Sequence, residues 1–146
     1  MESQNKSQPV SVPQAQVIAA AIAAAPVVYF IVCLLLDQFV LEEPGGFAGM
    51  TGVPSGVLLG FGLLTACGMA LVAPKMRDAV IAQSGKSLEV KIRAVILSMA
   101  LAETGAVFGV VYFLLTGNFL LSLIPMAIAF VATLFLFPSR RWLQET

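Results

Sequence analysis

The chain has 146 residues, of which 59% are hydrophobic and only 11% charged, with a mean hydropathy of +0.95. A soluble domain carries about 25% charged residues, so this chain cannot cover a globular surface with polar groups, and lipid must be part of its solvent. Eight Lys and Arg balance eight Asp and Glu, and His is absent, which leaves no basic surplus for nucleic acid as a partner and removes imidazole from any metal or acid–base chemistry.

Residues 1–16 are polar and proline-bearing and read as a cytoplasmic tail rather than a signal peptide, because the apolar run that follows is too long for an h-region. A bilayer core of about 30 Å takes about 20 apolar residues in a helix. Four runs in a 17–137 membrane domain meet that length: Val17 to Leu36, Gly56 to Pro74, Ala94 to Leu115 and Phe119 to Phe137. They are continuous rather than alternating, so helices are expected rather than barrel strands. The expected fold is all-α, an integral membrane four-helix bundle.

Punctuation marks the ends of the runs. Asp37 closes the first, and Pro44, Gly45 and Gly46 open a loop; Pro54 and Ser55 precede the second, and Pro74 and Pro138 stand at the exits of the second and fourth. Thr116, Gly117 and Asn118 form a turn short enough to force spans three and four into an antiparallel hairpin. Pro26 and Pro125 lie within spans one and four, where membrane helices tolerate them. The segment between spans two and three carries apolar residues at helical spacing (Met76, Val80, Ile81; Leu88, Ile92), so both helices are expected to extend past the bilayer and turn at Ser84, Gly85 and Lys86.

That segment also holds Lys75, Arg77, Lys86, Lys91 and Arg93; the 138–146 tail holds Arg140 and Arg141, and the first tail holds Lys6. The other two loops hold no Lys or Arg. The positive-inside rule therefore expects both termini and the basic segment in the cytoplasm, an N-in/C-in topology, with Trp142 at the interface. The basic segment reads either as a topology signal alone or as a patch for anionic lipid or a soluble partner.

Membrane helices pack through small residues. Gly56-x-x-x-Gly60 on span two, and Ala102, Gly105 and Gly109 on span three, are the expected packing positions, with spans two and three at the centre of the bundle and one and four outside. Cys33 and Cys67 lie in apolar runs without a CxxC neighbour and read as small buried hydrophobes.

Glu103 lies near the midpoint of span three and is the one strongly ionisable residue within any span. A charge at that depth costs roughly 2.5–3.5 kcal/mol, and intramembrane ionisable groups mark ion and proton sites. Glu103 shares a helix face with Met99, Ala100, Ala106, Val107 and Val110, roughly opposite the small residues. Tyr29, Thr65, Ser122 and Thr133 are its candidate hydrogen-bond partners. Two readings stay open: a proton- or cation-binding carboxyl, or a neutral glutamic acid bonded to a neighbouring helix for packing specificity. No nucleophile–base set, metal cluster or phosphate loop is present in the sequence, so neither an enzyme nor a resident cofactor is expected.

The stretch Ala100-Leu101-Ala102-Glu103-Thr104-Gly105-Ala106-Val107-Phe108-Gly109-Val110-Val111 resembles the carboxylate helix of the ATP synthase c subunit, the proteolipid of rotary ATPases. That resemblance implies that Glu103 carries a proton or sodium ion in a homo-oligomer, and it covers roughly Gly56 to Leu115, with extra spans on either side. The chain also resembles small four-span bacterial membrane proteins with an Ala-Leu-x-Glu element in span three and a Pro-Ser/Thr-Arg ending, here Pro138-Ser139-Arg140. This second likeness implies the four-span topology and a bacterial inner-membrane location. The expected functions are thus proton or cation handling through Glu103 in a homo-oligomer, or an accessory or assembly role in a larger membrane complex.

Overall fold

The computed structural model describes residues 11–39, 54–85 and 87–139. The loop at Pro44, Gly45 and Gly46, the turn residue Lys86, and Lys6, Arg140, Arg141 and Trp142 lie outside the described residues. Four helices follow one another: α1 (Val12–Phe39), α2 (Ser55–Ser84), α3 (Leu88–Thr116) and α4 (Phe119–Leu136). Each is long and apolar enough to cross a membrane. The fold is an all-α four-helix membrane bundle, and Phe135, Leu64, Leu120 and Leu71 stand exposed on its outside, as side chains facing lipid do and those facing water rarely do.

Local chemistry sets the helix limits. α1 begins inside the segment read as a tail: Gln14 accepts from the backbone N–H of Ser11 at 2.9 Å, one half of a capping box. The small residues Ala15 and Ala19 then bury one stripe of α1 from its first turn. α2 runs through Pro74, at the end of its apolar run, to Ser84, as expected of a helix that extends past the bilayer. As expected, α2 and α3 outrun the bilayer: at 1.5 Å per residue the 29 residues of α3 extend about 44 Å against a core of about 30 Å. Ser87 caps α3 by accepting from the Val90 N–H. At its other end Gly117 adopts φ 66°, a left-handed conformation suited to glycine, and returns its N–H to the Phe113 carbonyl at 2.7 Å. Asn118 then caps α4 by accepting from Leu121 N–H at 3.1 Å. The short α3–α4 hairpin follows from these two caps.

α3 is the hub. It packs against α2, α4 and α1, while α1 and α2 each also touch α4 and share no substantial interface with one another. The most extensive interface is that between α2 and α3, as expected, and the one between α3 and α4 is nearly as extensive, so α4 belongs to the centre as well. The glycines explain why. A Cβ on Gly105 would lie 2.8 Å from the Ala66 Cβ of α2 and 3.4 Å from the Ala129 Cβ of α4; one on Gly109 would lie 2.8 Å from the Ser122 carbonyl oxygen of α4 and 2.6 Å from Met126 Cγ. The glycines therefore admit α4 as closely as α2. Ala102 is fully buried, as expected of a packing residue. A Cβ added to Gly56 or Gly60 would meet nothing within 4 Å among the described residues, so the Gly-x-x-x-Gly of α2 does not face another described helix of the same chain. Cys33 is buried, but Cys67 faces outward, and both are free thiols.

Candidate functional site: a carboxyl–phenol pair between α1 and α3

Glu103 sits near the middle of α3 on the flank that meets α1. The Tyr29 hydroxyl of α1 donates a 2.8 Å hydrogen bond to Glu103 Oε1. Of the four candidate partners, only Tyr29 engages the carboxyl. Thr65, Ser122 and Thr133 each donate to a carbonyl of their own helix, those of Phe61, Phe119 and Phe130. Short hydroxyls in a helix readily fall back on the i−3 or i−4 carbonyl, whereas a phenol holds its oxygen too far from its own backbone to do so.

The pair lies on a border. On one side of Glu103 along α3, Met99 and Ala106 are completely buried; on the other, Ala100, Val107 and Val111 are exposed. Glu103 and Tyr29 are themselves half-buried. The open strip of α3 runs between the flank that receives α1 and the flank where Phe108 meets Phe61 of α2, with ring centroids 5.4 Å apart. The small-residue side and the carboxyl side of α3 are thus separated as their spacing predicts. The carboxyl side, however, is only partly covered by α1.

Magnitudes constrain the chemistry. A hydrogen bond between membrane helices is worth about 0.6 kcal/mol on average and about 1.7 kcal/mol at most. A mid-membrane charge costs roughly 2.5–3.5 kcal/mol. Tyr29 alone does not offset an ionised carboxylate. A neutral glutamic acid, by contrast, can accept from Tyr29 through one oxygen and offer its own O–H through the other. A hard metal cation takes about six oxygen ligands, yet among the described side chains one carboxyl and one phenol are bonded here. Among the described residues no group of three or more His, Cys, Asp and Glu could hold a metal ion.

The described basic residues of the segment between spans two and three differ in setting. Lys75 is exposed, Arg93 is exposed and paired with Glu89 one turn away, Lys91 is buried, and Arg77 is half-buried with its Nε 3.0 Å from Asp78. Arg77 also lines two cavities against α4, a placement that its position in a run of loop-like charges did not signal.

Comparison with family models, curated proteins and solved structures finds no match for this chain. Its functional reading therefore rests on the chemistry of the bundle itself, an all-α four-helix membrane protein with one bonded carboxyl at mid-span.

Proposed function

We propose that the protein handles protons across or within the membrane through reversible protonation of Glu103, working as a homo-oligomer. The observation that carries this reading is the Tyr29–Glu103 bond, 2.8 Å long and sited at the edge of an exposed strip of α3. Tyr29 holds the carboxyl in a fixed orientation in either protonation state, because its hydroxyl donates to the carboxylate and to the neutral acid alike. Proton is favoured over sodium as the bound ion because of the short supply of converging oxygens. The other described carboxyls lie toward the helix ends: Asp37 near the end of α1, and Asp78 and Glu89 near the turn between α2 and α3. A proton leaving Glu103 would therefore pass to water, lipid headgroups or a neighbouring subunit along the open strip. The resemblance to the ATP synthase proteolipid supports the same role for this residue, and the basic segments support a cytoplasmic placement of both termini in a bacterial inner membrane.

A second reading has its own observation in favour. Glu103 finds its partner within the same chain, as a residue that fixes helix pairing in an accessory or assembly subunit would. Glu103→Gln separates the two. The amide keeps an oxygen for Tyr29 to donate to but cannot exchange a proton. Reconstituted in proteoliposomes, this variant is expected to stay folded and to lose proton flux. Flux equal to that of the unmodified protein would remove the proton reading. A protein with no flux in either form, whose complex partners co-purify with both, would support the accessory role.

A further inference from the structure

The open strip of α3 carries a seam. Leu97, Ala100, Thr104, Val107 and Val111 follow one another at alternating intervals of three and four residues, the spacing with which two helices pack side by side at a shallow left-handed crossing. Their exposure follows the same pattern: Leu97, Val107 and Val111 are 42%, 45% and 42% exposed, Ala100 is exposed and Thr104 half-buried, so the seam faces outward rather than into the bundle. Two polar groups along it are short of partners. Glu103 receives the Tyr29 hydroxyl on Oε1, and that is its one side-chain hydrogen bond among the described residues. Thr104 reaches the Ala100 carbonyl at 3.4 Å, against 2.8 Å for the corresponding bonds of Thr65, Thr116 and Thr133, a length at which a hydroxyl bond is weak. Hydrocarbon offers neither group a partner. We propose that a second copy of the chain seats its own α3 on this seam, and that the Thr104 hydroxyl of each copy completes the Glu103 site of the other.

The fit follows from symmetry and helix geometry. Copies of one chain insert with the same orientation, so a two-fold axis between them runs along the membrane normal and sets the two α3 helices parallel, like residues at like depth. In such a pair each seam residue enters a gap among four residues of the facing helix. For Thr104 these are Ala100, Glu103, Thr104 and Val107 of the second copy, and the small Ala100 keeps the approach close. The hydroxyl donates to an ionised Glu103 and accepts from a neutral one, so the contact survives protonation as that of Tyr29 does. A polar residue at one seam position also fixes the register of the pair. The pairing names the partner in the homo-oligomer proposed above and rests on that reading for its use in proton exchange, but it is measured without reference to flux.

The test uses the full chain in bilayers, with Cys33→Ala and Cys67→Ala as background for cross-linking. Val107→Cys is expected to give a disulfide-linked dimer on mild oxidation, whereas Val131→Cys, at a position that is 49% exposed but on α4, is not. In the chain with its native cysteines, Thr104→Val removes the hydroxyl and keeps the shape. It should weaken pairing, read by energy transfer between C-terminally labelled copies, by about eightfold, the effect of two bonds of the average size found between membrane helices; Thr104→Ser should keep it. Equal cross-linking at both cysteines, pairing indifferent to Thr104→Val, or a protein that stays monomeric overturns the proposal, the last giving the strip to lipid or to another protein. Such a failure with flux still lost in Glu103→Gln leaves the proton reading standing. Pairing intact with no flux in the unmodified protein supports the seam and removes the proton reading instead.

Discussion

α3 is held in two different ways on its two flanks. Toward α2 and α4 it is held by shape: Gly105, Gly109 and Ala102 let backbones approach until a single added carbon would collide with Ala66, Ser122 or Met126. Toward α1 apolar packing is present too, with Ala19 and Ala23 in one buried cluster with Met99 and Ala102, but a polar bond, Tyr29 to Glu103, is added at a half-buried border. In lipid neither flank gains from the hydrophobic effect, because apolar side chains are as well solvated by acyl chains as by each other. Shape complementarity is fixed once the helices dock, whereas a carboxyl–phenol bond can change protonation without changing partners. On the proposed function, the difference separates stability from response: the glycine flank fixes the bundle, and the carboxyl flank carries the proton.

The largest effect is expected on the glycine flank. Gly109→Leu forces a side chain against the Ser122 carbonyl and should cost about 1–3 kcal/mol, the usual penalty of overpacking, read as reduced stability to denaturant in detergent. Gly105→Ala should fall in the same range, since its Cβ would stand 3.0 Å from the Ala66 Cα, a backbone atom that has little freedom to yield. Tyr29→Phe should cost less, about 0.6 kcal/mol and no more than about 1.7 kcal/mol, yet it should change the reactivity of Glu103 toward a hydrophobic carbodiimide where Gly105→Ala does not. Smallest of all, Gly60→Ala should shift stability by less than about 0.5 kcal/mol, because nothing described lies within 4 Å of the added carbon. A large loss in Gly60→Ala would show that the outer face of α2 is an interface in the assembled protein. The two flanks would then not be the whole account of what holds α3.

Much of this was legible in the sequence. Four apolar runs, the hairpin signal of Thr116, Gly117 and Asn118, and the angular separation of Glu103 from Gly105 and Gly109 follow from periodicity and bilayer thickness. The identity of the partner did not, because periodicity places a residue on a face but does not say which helix covers that face. One signal was nevertheless present: among Tyr29, Thr65, Ser122 and Thr133, only the tyrosine is too long to be satisfied by its own helix. Gly56 and Gly60 left their partner open for the complementary reason, since a Gly-x-x-x-Gly permits close approach without saying whether a helix of this chain or of a second copy supplies the neighbour. Pro74 marks the end of the apolar run but not of the helix, since membrane helices commonly continue through a proline. Arg77 could not be told from the other basic residues until α4 was seen beside it.

The central claim is that Glu103, oriented by Tyr29, takes up and releases a proton within the bundle. Infrared difference spectra recorded across a pH titration of the reconstituted protein test it most directly, by following the carbonyl stretch of a carboxylic acid shielded from rapid deuterium exchange. The account predicts one such band that titrates, vanishes in Glu103→Gln and shifts in frequency in Tyr29→Phe. A spectrum without a titrating shielded carboxyl, or a band indifferent to both substitutions, would contradict it.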